Sequence, residues 1–447
     1  MNTQTAQVLR RAAVVALAMG GLLMTPARMQ AALDAQRATV GGEVRERYEF
    51  RANADFDRSK GDTLSFVGSR IRLSVGYEAA PDLLFFLQMQ DSRLFGGETT
   101  TASNEKNLDL HQGYLTMKNL GPLALTLGRQ EMVFGDSRLV GNFGWSNIGR
   151  SFDGLRLAYT PGSWRLDLWG TATKQYGTNV GADPDPTKES GDSQEFYGVY
   201  ATVKAASFSI EPYVLYLRDT GNPSGTAITD PAARGQSRVT VGFRVDGKVA
   251  EDAVDLTGEV AYQAGSMKAR GTTPKSDIGA YAVAAKAGYR IPVRMTPRIG
   301  VEYDRASGDD NPSDDTFKTF ENLFPTNHPH YGYMDYVGWR NMQDLRISVG
   351  AKPTEVSGVG LDYHRFQLIE EADHWYRASG AIFMTTPPGN SETDLGQELD
   401  VVASTVVKER FRLEAGYGRF FPGDYVKVNS PAHDASDFIY LQTKMDF

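Results

Sequence analysis

The feature that most constrains this chain is a recurring alternation of apolar and polar residues, in segments of about ten residues that begin at Val40. Successive side chains of a β-strand point to opposite faces, so each segment has one apolar face and one polar face. About ten residues is also the length that a tilted strand needs to cross the hydrocarbon layer of a membrane. Residues 69–77, 238–246 and 344–352 show the pattern most clearly. We therefore expect a sheet whose strands can span a bilayer.

The links between these segments alternate between short and long, as in bacterial barrels with short periplasmic turns and longer outer loops. The short links lie near residues 79–82, 119–122, 160–163, 205–207, 250–253, 291–296, 352–355 and 407–409. The long links lie near residues 51–63, 92–106, 132–151, 175–192, 220–235, 267–277, 306–339, 370–393 and 422–435. The count predicts an all-β fold, a transmembrane antiparallel up-and-down β-barrel of about 18 strands with both termini in the periplasm.

Composition agrees with this class. The chain has 447 residues, which a barrel accommodates as one domain because lipid covers its apolar face. After Leu23 no run approaches the roughly 18 apolar residues of a membrane helix, which excludes a helical membrane protein. The 21 Tyr, 22 Phe and 46 Gly favour strands, interfacial aromatics and turns. There is no Cys, and the net charge of −8 disfavours binding to nucleic acid.

The N-terminus has the organisation of a secretory signal peptide. Arg10 and Arg11 precede an apolar run over residues 12–24, and small residues follow at Ala27 and Ala31. We interpret residues 1–32 as a cleaved signal peptide, with the cleavage site within residues 27–32, and residues 33–447 as the outer-membrane β-barrel. The other reading is a short membrane anchor, but the run is too short to span the bilayer and has no lipidation Cys.

The C-terminus alternates in the same way and finishes on Phe447. It resembles the last strand of outer-membrane barrels, which the barrel-assembly machinery recognises. We therefore expect that machinery, together with outer-membrane lipid and lipopolysaccharide, among the partners. A chance terminal Phe on an ordinary strand is the alternative.

Two blocks of sequence resemble the alginate-export outer-membrane family. The first covers residues 128–141 and continues through residues 145–147 and 149–154. The second covers residues 303–310, 324–326, 331–335 and 339–341. The resemblance implies an eighteen-stranded porin that passes an anionic uronate polysaccharide passively through an Arg-lined channel. The fold carries over more readily than the cargo, because one fold serves many solutes.

If the apolar faces of the strands meet lipid, strand parity sends many charged residues toward the lumen. Arg suits such a channel because its planar fork pairs with carboxylates. The predicted lumen and constriction residues are Arg70, Arg72, Arg129, Asp136, Arg138, Trp145, Arg150, Arg156, Arg165, Arg238, Arg244, Arg346 and Arg412. Parity also sends Lys286, Arg290 and Arg298 inward, with about as many acids, so the alternative is that these charges form ion pairs that brace the wall.

Five residues of this set are not placed by the parity of an inward strand face. Arg129 does not share the inward parity of its strand, so we expect it beyond the lipid band or at a bulge. Asp136, Arg138, Trp145 and Arg150 lie in residues 134–150, a long outer loop rich in Gly and Asn. Our hypothesis is that this loop folds inward as a constriction. The alternative is a cap packed on the barrel rim, with its Arg and Asp tied to neighbouring strands rather than to a solute.

Other chemistry has less support. Asp304, Asp309, Asp310, Asp314 and Asp315 could bind Ca²⁺ at the outer acidic loop, but without EF-hand order a solvated loop is the simpler reading. Otherwise we expect no cofactor and no metal. Scattered His residues form no zinc motif, and no nucleophile elbow or phosphate-binding loop is present, so we expect no enzyme.

The sequence therefore predicts a passive pore, in the outer membrane of a Gram-negative type of cell, for an acidic polysaccharide or oligosaccharide. The alternative is a porin that takes up a different small solute. Both share fold and location, and the sequence leaves substrate, direction of transport, gating and oligomeric state open.

Overall fold

The computed structural model describes residues 34–97, 107–175, 193–220, 235–268, 275–311 and 313–447. The predicted signal peptide and parts of four predicted long links, near residues 92–106, 175–192, 220–235 and 267–277, lie outside the described residues. The contacts divide the chain into one unit of residues 1–38 and a second of residues 39–447. In the first unit the described part contains a single turn of 3-10 helix, Ala35–Arg37.

Almost all regular structure in the described residues is β-strand, as the alternating pattern predicts. Eighteen strands build the wall, and three short ones, β14, β17 and β18, lie within long links. The strands are β1 (Ala38–Ala52), β2 (Leu64–Ala80), β3 (Leu83–Leu94), β4 (Leu108–Leu120), β5 (Leu123–Gln130), β6 (Phe152–Tyr159), β7 (Trp164–Gln175), β8 (Ser193–Ala205), β9 (Phe208–Asp219), β10 (Gln236–Val249), β11 (Val254–Lys268), β12 (Lys275–Arg290), β13 (Arg298–Ala306), β14 (Thr316–Phe317), β15 (Met342–Thr354), β16 (Ser357–Gln367), β17 (Trp375–Tyr376), β18 (Ile382–Met384), β19 (Asp394–Val407), β20 (Phe411–Pro422) and β21 (Ser436–Asp446).

The wall is a closed antiparallel barrel. Each wall strand pairs with the next along the chain, and β21 pairs back onto β1 from Glu43 opposite Asp446 to Ala52 opposite Asp437. Closure leaves the described wall strands without a free edge, so their backbone polar groups at membrane depth can be satisfied within the protein. The predicted barrel of about 18 strands is confirmed.

The two faces of the wall differ sharply in exposure. In β2, Ile71 and Leu73 are 46% and 49% exposed, whereas Arg70 and Arg72 between them are 4% and 8% exposed. The apolar face therefore points outward, where lipid would cover it, and the polar face points inward.

The links alternate in length as predicted. Eight short links join wall strands at the same end of the barrel, which we call the short-turn end, at residues 81–82, 121–122, 160–163, 206–207, 250–253, 291–297, 355–356 and 408–410. The link of residues 423–435 at the opposite end contains a short helix, α1 (Asp424–Asn429). No helix in the described part of the chain is long and apolar enough to cross a membrane.

Candidate solute channel

The polar face of the wall forms the inside of the barrel. Two segments of long links contact this face on strands around the wall, and we call them the first inner loop (residues 131–151) and the second inner loop (residues 319–341). Strand parity puts eight of the predicted channel residues on this face: Arg70, Arg72, Arg156, Arg165, Arg238, Arg244, Arg346 and Arg412.

Most of these arginines are bonded to neighbours in the wall or the inner loops. The Nε atoms of Arg156 and Arg165 lie 2.9 Å and 2.7 Å from the carboxylate of Asp167, and Arg346 donates to Asp362 over 2.7 Å. Arg238 donates to the side-chain oxygens of two glutamines rather than to a carboxylate. Arg70, Arg72 and Arg244 are paired with Glu43, Glu131 and Glu211, respectively. These hydrogen bonds and ion pairs stabilise the wall and leave few of its arginines available to bind a solute.

The short-turn end is different, because it holds inward cations whose side chains make no hydrogen bond or ion pair with any described residue. They are Lys204, Lys248, Lys286, Arg290 and Arg412. The inward carboxylates of the same end are all engaged by neighbouring side chains, namely Glu78, Asp167, Glu211, Asp246, Asp255, Glu414 and Asp446. Glu414 accepts only from the neutral hydroxyl of Tyr440, so the described inward residues of the short-turn end have five cations without a partner and one carboxylate without a cation.

Arg129 lies on the outward face and so does not line the channel. It shares this face of β5 with the exposed Leu127, and its guanidinium pairs with Asp153 of β6 at 2.7 Å and 2.8 Å. The register between β4 and β5 contains no bulge at this position. The prediction that Arg129 lines the lumen is therefore corrected: it lies on the outward face, as the parity of its strand indicates.

The first inner loop folds into the barrel. Asp136, near its start, pairs with Arg244 of β10 at 2.5 Å, whereas the carbonyl of Trp145 accepts a hydrogen bond from Arg47 of β1 over 2.7 Å. The loop thus reaches wall strands that lie far apart around the barrel. The loop therefore lies inside the barrel, as the hypothesis expects, while Asp136 ties it to a wall strand, as the alternative expects.

Arg138 anchors the first inner loop to β13. It is buried, pairs with Glu302, lies 3.2 Å from a carboxylate oxygen of Asp304, and donates to the hydroxyl of Tyr331 over 2.5 Å. Burial alone would lower the pKa of Arg138, but its interactions with Asp304, Tyr331, Glu302 and Glu259 outweigh burial and hold the pKa above its ordinary value. Arg138 is therefore a fixed cation with no donor directed at open space.

Arg150 connects two parts of the first inner loop to each other and to the second inner loop. Its Nη1 donates to the carbonyls of Gly141 and Pro325 over 3.1 Å and 2.8 Å, and its guanidinium lies near the rings of Phe143 and Phe324. Burial lowers the pKa of Arg150 to about 10, so it remains charged at neutral pH.

The second inner loop is held by two acids of β19. The amide of Met334 donates to Glu398 over 2.8 Å, and the amide of Tyr333 donates to Asp400 over 3.2 Å. The preceding Gly332 has φ of +80° and packs against the Glu398 carboxylate so closely that a β-carbon there would clash with it. Glycine is therefore required at this turn.

An aromatic stack joins the two inner loops. The ring of Trp145 lies between the guanidinium of Arg47, 3.8 Å from its centroid, and the imidazole of His328 at 3.7 Å. Tyr333 stacks on the same imidazole at 4.8 Å. The loops also pair through their backbones, since the amide of Gly141 donates to the carbonyl of Phe324. Together they form one plug inside the barrel.

The sequence-based set omitted Arg45 and Arg47, two buried inward arginines of β1. Their signal was present, because residues 43–51 alternate Glu, Arg, Arg, Glu and Arg with residues that point outward. Asp304, grouped with the acidic outer loop on sequence, lies instead in β13 beside Arg138. Among the described residues, no group of three or more acidic or His side chains could hold a metal ion.

This architecture is similar to that of known proteins. A family model described as alginate export matches residues 36–438. A search of curated proteins finds no match. Among solved structures, OccK11 (OpdR) of Pseudomonas aeruginosa aligns with a TM-score of 0.58 and 13% identity, over 92% of this chain and 97% of that chain.

Two further proteins of Pseudomonas aeruginosa are similar in fold. OprD aligns with a TM-score of 0.56 and 12% identity, over 92% of this chain and 94% of that chain. OpdK, solved with vanillate, aligns with a TM-score of 0.57 and 9% identity, over 92% of this chain and 99% of that chain. At these identities the likeness concerns the fold alone.

Proposed function

The chain belongs to the alginate export family, and from this premise we propose that it is a passive pore for an acidic polysaccharide or oligosaccharide. The family and the barrel fold support an outer-membrane pore and a transporter class rather than an enzyme class. The observation that supports an acidic substrate is the unpaired positive charge of the short-turn end. A water-filled path lined by an excess of unpaired charge of one sign concentrates ions of the opposite sign.

The arrangement suggests a direction for the channel. We place the short-turn end and both termini on the periplasmic side, as in bacterial barrels generally. An anionic chain arriving from the periplasm would then meet Lys286, Arg290 and Arg412 before it reaches the plug. The first inner loop forms the constriction, and its charged side chains hold it in place. Lipid, lipopolysaccharide and, through Phe447, the assembly machinery complete the partners of this proposal.

A porin for small solutes is the second candidate. It is favoured by the extent to which the two inner loops occupy the lumen, since a plug held by Glu398, Asp400 and the Trp145 stack narrows the path. In that case a monomeric acid would pass and a chain of several sugar units would not.

The test is efflux from liposomes that contain the purified protein. We expect oligouronates of several sugar units to leave faster than neutral oligosaccharides of equal length, because only the former are concentrated by the cationic end. Equal rates for both would contradict the acidic substrate. Efflux of monomeric uronate without the oligomers would favour the small-solute porin.

A further inference from the structure

One stretch of the first inner loop, residues 144–148, is bound to the wall through its backbone oxygens and through the side chain of Asn147, which accepts from Arg45 and donates to the carbonyls of Ser69 and Arg93. The carbonyls of all five residues accept hydrogen bonds from side chains of β1, β2 and β3. The donors are Arg45, Arg47, Arg70, Arg72, Gln90 and Ser92. An acidic glycan would present a similar row of oxygens to this wall.

Two of these arginines converge on the same pair of oxygens. Arg45 donates to the carbonyls of Gly144 and Ser146 over 2.9 Å and 3.0 Å, and Arg70 donates to the same two over 3.1 Å and 2.8 Å. Arg70 also holds Glu43 at 2.7 Å. Two guanidiniums that share two oxygens form the arrangement in which arginines hold a carboxylate.

Arg45 is the member of the group whose charge is least compensated. Among the described residues its hydrogen-bond acceptors are neutral oxygens, the two carbonyls and Oδ1 of Asn147. Its side chain is 3% exposed, and its buried Nε has no hydrogen-bond partner. A buried cation bound only by neutral groups gains from replacement of those groups by an anion.

We propose that Arg45 and Arg70 form a binding site for a sugar carboxylate, covered in this structure by the carbonyls of Gly144 and Ser146, which the carboxylate displaces. The inference rests on the proposed function, because it takes an acidic glycan as the solute. The site lies on β1 and β2, apart from the unpaired cations of the short-turn end.

The covering segment has features that suit displacement. Its flanking residues Phe143 and Gly149 have φ of +50° and +82°, so a non-glycine residue holds the left-handed conformation beside it. Trp145, stacked between Arg47 and His328, links the segment to the second inner loop. Movement of residues 144–148 therefore breaks one of the contacts that join the two inner loops.

The experiment measures the accessibility of the segment directly. The chain has no Cys, so Asn147→Cys provides a single thiol whose reaction with a water-soluble maleimide reports displacement. We expect oligouronates to accelerate labelling about tenfold or more, the effect of one charge-assisted hydrogen bond, and neutral oligosaccharides of equal length to leave it unchanged. The acceleration should disappear in Asn147→Cys combined with Arg45→Gln and persist with Arg365→Gln, an exposed arginine on the outward face of β16.

A second variant covers the case in which Arg45→Gln fails to fold. A β-carbon built on Gly68 would lie 3.5 Å from Cγ of Asn147, so Gly68→Cys with Asn147→Cys should form a disulfide that fixes the segment to β2. Oligouronate efflux should fall about tenfold or more when this variant is oxidised and recover on reduction.

The outcomes separate this inference from the proposed function. Oligouronate efflux without accelerated labelling, or with equal efflux in the oxidised and reduced double-Cys variant, would overturn the covered site and leave the pore intact. Accelerated labelling that requires Arg45, in a protein that does not pass oligouronates, would support the site and refute the pore.

Discussion

At the scale of single residues, the charges inside the barrel divide into those that hold the plug and those that remain available to a solute. Arg138 belongs to the first group, with two carboxylates and a tyrosine hydroxyl around one guanidinium. Arg412 belongs to the second, as an exposed inward cation without a hydrogen bond or ion pair in the described residues. The type of residue alone does not separate the groups, because both are arginines on or near the inner face.

Replacement of Arg138 should therefore open the plug rather than alter ion selectivity. Arg138→Met leaves Glu302 and Asp304 buried without their cation, at a cost of about 3 kcal/mol or more in plug stability. We expect larger single-channel conductance and a lower unfolding temperature. Arg365→Met on the outward face is the control. Unchanged conductance in Arg138→Met would show that Arg138 does not hold the plug.

At the scale of elements, the long links pack against each other at the end of the barrel opposite the short turns. The backbone amide of Asp309 donates to the carboxylate of Asp373 over 3.0 Å, and the hydroxyl of Thr319 donates to the same carboxylate over 2.6 Å. The link after β13 is thereby joined to the link after β16. An acid in such a contact makes the stability of the links depend on pH.

Asp309 supplies that dependence. Burial raises the pKa of Asp309 to about 6, helped by the neighbouring Asp373, Asp314 and Asp310 and opposed by a hydrogen bond from the amide of Asn311. The folded loop therefore binds this proton more tightly than the unfolded chain, whose aspartate has a pKa near 3.9. Its contribution to stability is greatest below about pH 4 and is lost as the pH rises through about 6.

Asp309→Asn should remove this loss. At pH 7.5 we expect the free energy of local opening of residues 307–318 to rise, by at most about 3 kcal/mol, and to change less between pH 5 and pH 7.5. Amide hydrogen exchange, corrected for intrinsic rates, measures it, and Asp315→Asn on the exposed part of the loop is the control. Equal opening energies in Asp309→Asn and the parent at pH 7.5 would refute the assignment.

The last strand offers a second prediction at this scale. Phe447 exchanges backbone hydrogen bonds with Gly42 at the seam of the barrel, and its side chain is exposed. If the assembly machinery reads this residue, deletion of Phe447 should reduce the amount of barrel in the outer membrane severalfold. Phe411→Ala, which removes another exposed aromatic of the short-turn end, should not. Equal amounts of both variants in membrane fractions would contradict that role.

At the scale of the whole molecule, local signals predicted the wall and offered an inward first inner loop as one of two alternatives, but they could not predict the contacts that hold the plug. Period-2 alternation and turn residues are properties of neighbouring residues, so strands, links and the outward face of Arg129 follow from them. The position of Arg138 depends on Glu302 and Tyr331, more than 160 residues away. Such contacts form only when the closed wall brings the long links together, which no local pattern records. Arg45 and Arg47 differ from Arg138 in this respect, because the alternation of β1 alone was enough to predict that both face the lumen.

The proposal that this protein is a pore for acidic solutes is tested most directly by the reversal potential of the purified protein in planar bilayers under a KCl gradient. We expect a reversal potential close to that of chloride, because the unpaired cations concentrate anions at the short-turn end. We further expect a shift toward zero in the triple variant Lys286→Ala, Arg290→Ala and Arg412→Ala, and no shift in Arg365→Ala. A cation-selective channel, or a triple variant as anion-selective as the parent, would contradict the claim that these residues make the pore a conduit for acidic solutes.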